Sequence, residues 1–117
     1  MKKQTLFNVL FCFFIFIGYS QKPIKIACVG NSITYGSGVF NKEKNAFPVQ
    51  LQNLLGKNYQ VENFGVSGRT LLKKGDYPYW ETDAYKEALE YDADIVFIKL
   101  GTNDSKSQNR IHLEEFE

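Results

Sequence analysis

The chain has 117 residues, room for one small domain or part of a larger one. It carries 14 Lys and Arg against 13 Asp and Glu, a formal net charge of +1 with a single His, which excludes a general nucleic-acid binder because such a protein needs a basic face. Hydrophobic residues at 44% and charged residues at 23% exclude a disordered chain.

The N-terminus reads as an address. Lys2 and Lys3 form a short positive region, and Leu6 to Ile17 is apolar except for Asn8. Gly18, Tyr19 and Ser20 then place small residues at −3 and −1 of a cut before Gln21. This is the pattern of a secretory signal peptide over residues 1–20, and it predicts a secreted or periplasmic product. The apolar run is shorter than the ~20 residues that span a bilayer, so no stable membrane insertion is expected after cleavage; an uncleaved anchor is the alternative. Cys12 has no small residue just before it, which speaks against a lipoprotein cysteine. After the cut Cys28 is the one cysteine left, so stability must come from a core rather than an intrachain disulfide.

Ile24 to Val29 is a short apolar run ended by Gly30 and reads as a strand buried on both faces. Gly30 to Gly38, with three glycines among Asn and Ser residues, reads as a loop. Phe47, Leu51, Leu54 and Leu55 recur at helical spacing, with Pro48 in the first turn and Gly56 as a stop, which predicts an amphipathic helix. Tyr59 to Phe64 reads as a second strand, stopped by Gly65. Leu71 to Glu81, with Gly75, Tyr77, Pro78, Tyr79 and Trp80, reads as a long surface excursion. Thr82 can cap a helix running through Tyr85, Ala88 and Leu89. Ile95 to Leu100 is a third strand, stopped by Gly101, and the residues to Glu117 read as an acidic helix-like tail. This alternation implies parallel strands joined by helical crossovers, an α/β fold.

In a parallel sheet the loops after successive strands emerge at one carboxyl edge, where ligands bind. Here those loops are Gly30-Asn31-Ser32-Ile33-Thr34, Gly65-Val66-Ser67-Gly68-Arg69-Thr70 and Gly101-Thr102-Asn103-Asp104. Adjacent strands lie ~4.8 Å apart, so a central first strand puts Ser32 between Gly68 and Asn103. Acyl transfer needs such a set. A serine hydroxyl attacks an ester carbonyl, and preplaced donors hold the resulting oxyanion. The N–H groups of Ser32 and Gly68 and the amide of Asn103 supply three. Each residue alone has a plainer reading: Ser32 as a helix N-cap, Gly68 as a turn residue, Asn103 as a cap, a turn residue or part of the Asn103-Asp104-Ser105 glycosylation sequon.

These three blocks resemble the SGNH (GDSL-type) esterases and lipases, over about Ile24 to Arg110. The resemblance implies Ser32 as nucleophile, and Gly68 and Asn103 as oxyanion-hole donors. It implies the N-terminal part of a three-layer α/β/α, flavodoxin-like fold with strand order 2-1-3-4-5, the first strand central. No metal or organic cofactor is implied. The stretch from Lys73-Lys74-Gly75 through Pro78-Tyr79-Trp80, followed by Ile98 to Ser105, looks most like secreted bacterial sialate O-acetylesterases. Two departures stand out. Asn31 occupies the place where the family name implies Asp, which keeps size and a hydrogen-bonding carbonyl but drops the charge. The family's last block, Asp-x-x-His, carries the general base and its orienting acid. Here the one His is His112, with Asn109 three residues before it, and His112 reads as a surface residue. Residues 21–117 therefore read as the N-terminal portion of the domain with that block absent, and as a poor enzyme taken alone, since Ser32 without a base is a weak nucleophile.

The expected function is a secreted serine esterase removing O-acetyl groups from a carbohydrate, its partner a small-molecule or glycan ester. One alternative is a lysophospholipase or thioesterase of the same family, which needs an apolar acyl groove. The other is a non-catalytic glycan-binding protein on a degenerate hydrolase frame. Gly30 to Gly38 has neither the Gly-x-Gly-x-x-Gly spacing nor a Gly-Lys-Ser/Thr element, which excludes the usual phosphate loops. The Gly-x-Ser-x-Gly nucleophile elbow is also missing. Arg69 is placed to meet a carboxylated sugar at the site rim, or is simply a solvated Arg. Lys99 can pack its stem while its charge reaches water, and Lys73 and Lys74 read as an exposed basic pair.

Overall fold

The computed structural model describes residues 21–117; the leader expected over residues 1–20 lies outside the described residues. The first strand, β1 (Ile24–Gly30), is central. It pairs in parallel with β2 (Tyr59–Gly65) on one side and β3 (Ile95–Lys99) on the other, giving the order β2-β1-β3. Residues Ile26, Ala27, Cys28 and Val29 are at most 9% exposed, as expected of a strand covered on both faces. Each large apolar side chain so buried contributes about 1.5–3 kcal/mol. Burial also pushes the Cys28 thiol up to about 11.

Between β1 and β2 lie three helices, α1 (Ser32–Tyr35), α2 (Lys42–Asn45) and α3 (Phe47–Leu55). Between β2 and β3 lies α4 (Asp83–Glu90). The chain reverses its direction of travel across the sheet after β2, so right-handed crossovers place α3 and α4 on opposite faces. The result is the expected three-layer α/β arrangement with its first strand in the middle.

Helix α3 has the predicted limits because Pro48 suits its first turn and Gly56 (φ +72°) ends it. Gln52 then ties it to the sheet edge. Its Oε1 accepts from Val61 N at 2.7 Å, while its Nε2 donates to the carbonyls of Gly56 and Tyr59, both at 3.1 Å. The expected apolar face is only partly buried, for Leu54 is 84% exposed. Phe47 and Leu51 line a cleft together with Phe97, Ile98 and Lys99 of β3. Thr82 caps α4 as predicted, its Oγ1 accepting from Tyr85 N at 3.1 Å. Tyr91, just after α4, packs on Phe64 at 5.5 Å between ring centroids, and its hydroxyl donates to Gln60 O at 2.9 Å.

Three expectations need correction. The segment Leu71 to Glu81 is a surface excursion only in part: Lys73, Lys74, Asp76, Tyr77 and Glu81 are exposed, but other residues anchor it inward. Leu72 is 2% exposed and Tyr79 0%, and Pro78 forms a bridge with Thr70. The Tyr79 hydroxyl donates to Phe64 O and the Trp80 indole to Leu71 O, both at 2.6 Å, so the buried ring of Tyr79 and the half-buried ring of Trp80 have their polar tips satisfied. Tyr79, Trp80 and Tyr85 meet edge to face with centroids 5.2–6.5 Å apart. Burial, with a smaller push from Glu87, raises the Tyr79 hydroxyl to about 12. Secondly, the first loop contains the short helix α1. Thirdly, the tail is a 3-10 segment, Arg110–Phe116, with a break at His112, rather than an α-helix.

Candidate active site

The site lies at the carboxyl edge of the sheet. There Gly30 is in register with Gly65 on one side and Lys99 on the other. Backbone bonds continue the pairing into the turns: Asn31 N donates to Lys99 O at 3.2 Å, and Val66 N to Gly30 O at 2.9 Å. The turn after β1 is thus held between the turns after β2 and β3.

Two glycines let α1 lie across these strand ends. A Cβ on Gly30 would run into Thr34 Oγ1 and stand 2.8 Å from Lys99 O. A Cβ on Gly65 would run into the backbone of Tyr35. Asn63 holds the far end of the helix, its Nδ2 donating to Thr34 O and its Oδ1 accepting from Gly65 N, each at 2.9 Å.

The N-cap of α1 is Asn31, not Ser32. Asn31 is fully buried, and its Oδ1 accepts from Ile33 N at 3.1 Å. An Asp there would cap equally well but would place a full charge at a site without solvent, so the neutral side chain suits the position. Asn31 Nδ2 and Thr34 Oγ1 are buried with no hydrogen-bond partner among the described residues. Ser32 is the first helical residue and is half-buried. Among the described residues neither its hydroxyl nor its N–H makes a hydrogen bond. Being at a helix N-terminus, that N–H has no intrahelical acceptor.

Gly68 sits in the second turn with φ +79°, and open space surrounds the position a Cβ would take. Its N–H is likewise unbonded among the described residues. Ser67 and Ser37 share a hydrogen bond at 2.6 Å between their hydroxyl oxygens, joining this turn to the segment after α1.

Asn103 begins one 3-10 turn after β3. Its Nδ2 donates to Arg69 O at 3.0 Å, which leaves the second amide hydrogen available. The strand order and these bonds bring the turns of Ser32, Gly68 and Asn103 to one edge. His112 is not bonded to Ser32; its Nδ1 lies 4.0 Å from Glu114 Oε1 in the 3-10 tail.

Sequence reasoning missed the groups that clasp the second and third turns together. Asp104, 2% exposed, accepts from Leu72 N at 2.7 Å and Leu71 N at 3.1 Å. Asn109, 1% exposed, donates to Asn103 O at 2.8 Å and Asp76 Oδ1 at 2.9 Å, and accepts from Asp76 N at 2.8 Å. The bond from Asn109, aided by Gln108 and Lys106, holds the Asp76 carboxyl below the usual carboxylate range. Hydropathy marks all of these residues as surface, and no local motif signals their burial.

Comparison with known proteins gives three results. The model of the GDSL-like Lipase/Acylhydrolase family matches residues 28–115. An acetylxylan esterase of Xylanibacter ruminicola (strain ATCC 19189 / DSM 19721 / CIP 105475 / JCM 8958 / 23) is 54% identical over 96 residues, covering 82% of this chain and 20% of that protein. The chain therefore spans about a fifth of that relative's length. Two structures of the esterase AlinE4, one a mutant and one described as an SGNH-hydrolase family esterase, are each 22% identical, with a TM-score of 0.49. Each match covers 80% of this chain and 50% of the other.

Proposed function

This chain belongs to the GDSL-like lipase/acylhydrolase family, and from that premise we propose that it carries the nucleophile and oxyanion hole of a carbohydrate O-acetylesterase. Ser32 Oγ attacks the carbonyl carbon of an acetyl ester. The carbonyl oxygen becomes an oxyanion, which the N–H groups of Ser32 and Gly68 and the free hydrogen of Asn103 Nδ2 receive. Collapse expels the sugar alcohol and leaves acetyl-Ser32, which water hydrolyses to acetate. The proton acceptor is a histidine oriented by an aspartate, assigned in this reading to an Asp-x-x-His block outside residues 1–117. What supports the reading is that the turns bearing Ser32, Gly68 and Asn103 lie at one sheet edge, with the Ser32 hydroxyl and the N–H groups of Ser32 and Gly68 unbonded among the described residues and one hydrogen of the Asn103 amide unused.

Acetyl-carbohydrate as the substrate is supported by the similarity to an acetylxylan esterase, which favours acetylated xylan, while the resemblance of residues 73–80 and 98–105 adds a second candidate. That candidate is acetylated sialic acid, which bears a carboxylate. The leader pattern over residues 1–20 supports a secreted or periplasmic location. The test is fluorophosphonate labelling of the full-length protein together with acetate release from acetylated sugars. Both should occur in the wild type and both should vanish in Ser32→Ala. Release of long-chain fatty acid instead of acetate would favour the lysophospholipase reading. Glycan binding without any turnover would favour the non-catalytic one.

A further inference from the structure

We propose that Arg69 and Tyr77 form a subsite beside the oxyanion turn for a sugar that bears a carboxylate. The proposal rests on the esterase reading for its place in a reaction, but its recognition chemistry stands on the pair itself.

Arg69 directly follows Gly68, and the bond from Asn103 to its carbonyl fixes the root of its side chain. Its guanidinium carbon stands 5.9 Å from the centre of the Tyr77 ring. Tyr77 is held in turn by its backbone: Thr70 N donates to Tyr77 O at 2.9 Å, and Tyr79 N donates to Thr70 O at 2.9 Å. The residues that follow, Pro78 and Tyr79, are buried, yet Tyr77 is 58% exposed. An aromatic face is thus presented to solvent on a rigid backbone, beside a cation.

Among the described residues that cation has no carboxylate partner within 4.0 Å. Asp76, the acid next to Tyr77 in sequence, is already engaged by Lys106, Gln108 and Asn109. Arg69 Nε is enclosed without an acceptor among the described residues, so a carboxylate would be met by the terminal nitrogens of the guanidinium. A planar guanidinium binds a carboxylate through parallel N–H bonds, and an aromatic ring accepts the C–H face of a pyranose. Together they fit a sugar acid better than a neutral sugar or an acyl chain.

The test is calorimetric binding to the full-length protein, with sialic acid and glucuronic acid each compared with its methyl ester. The ester keeps the ring and removes the charge. The wild type should bind at least one free acid about tenfold more tightly than its ester, the difference of one charge-assisted hydrogen bond. Arg69→Gln should erase that preference, and Arg69→Lys should retain part of it. Which acid shows the preference separates the sialic from the uronic source. Equal affinity of the wild type for acid and ester overturns the proposal whatever the variants do, as does an unchanged preference in Arg69→Gln. An intact preference without acetate release would sink the esterase reading and leave the subsite standing.

Discussion

Asn103 Nδ2 donates to the carbonyl oxygen of Arg69 at 3.0 Å, so one amide both joins the turn after β3 to the turn after β2 and keeps a hydrogen to offer. A residue with two such tasks should show two effects. Asn103→Ala is expected to lower kcat/KM for an acetyl ester by about 10²–10³-fold, the cost of one oxyanion donor, measured by steady-state kinetics on the full-length enzyme. Loss of the clasp should also lower stability by about 1 kcal/mol, read from urea unfolding.

Asp104 separates structure from chemistry. It offers no donor, but it satisfies the buried N–H of Leu72 and the part-buried N–H of Leu71. Removing it orphans both, at about 1–3 kcal/mol for each buried group. Asp104→Ala should therefore destabilise the fold by about 3 kcal/mol in urea unfolding. Asp104→Asn keeps one acceptor oxygen and should lose roughly half as much.

The contrast between these two neighbours shows what the sequence makes legible. Strand β1, helix α3 with its Pro48 and Gly56, the Thr82 cap and the order β2-β1-β3 all follow from local signals, periodicity and the rules of parallel crossovers. The positions of Ser32, Gly68 and Asn103 follow from the same rules, because each sits just past a strand end. Asp104 and Asn109 were not legible, since their burial depends on partners about thirty residues distant. Packing is the reading that residues such as Tyr79 and Trp80 favour, but no local signal names their acceptors, Phe64 O and Leu71 O, which lie 15 and 9 residues back. Helix α1 was hidden because four residues carry no periodicity.

Two glycines near the site should respond oppositely to the same methyl group. Gly65→Ala drives a Cβ into the backbone of Tyr35, which cannot move without displacing α1. A loss of about 3 kcal/mol is expected, seen as a large fall in Tm. Gly68→Ala meets no atom, and only its φ of +79° resists, at about 1 kcal/mol. That variant should fold, yet lose at least about tenfold in kcat/KM because the methyl crowds the incoming carbonyl beside the donor.

Alkaline pH should weaken the fold through two buried groups. Burial raises Cys28 from 9.0 to about 11, and burial followed by Glu87 raises Tyr79 from 10.0 to about 12. Between its ordinary and its native value each group holds its proton only in the folded state. Above pH 9 the unfolded chain therefore binds fewer protons than the native one, and stability falls with rising pH. The contribution of Cys28 should be intact below pH 9 and gone by about pH 11, with that of Tyr79 following from about pH 10 to pH 12. Urea unfolding across this range should show the decline, and Cys28→Ala should remove its first part. Native Cys28 should resist iodoacetamide at pH 8 and react at once in urea, because the thiolate is the nucleophile and burial denies it both ionisation and access. Rapid labelling of the folded chain would show that β1 opens far more readily than a strand covered on both faces should.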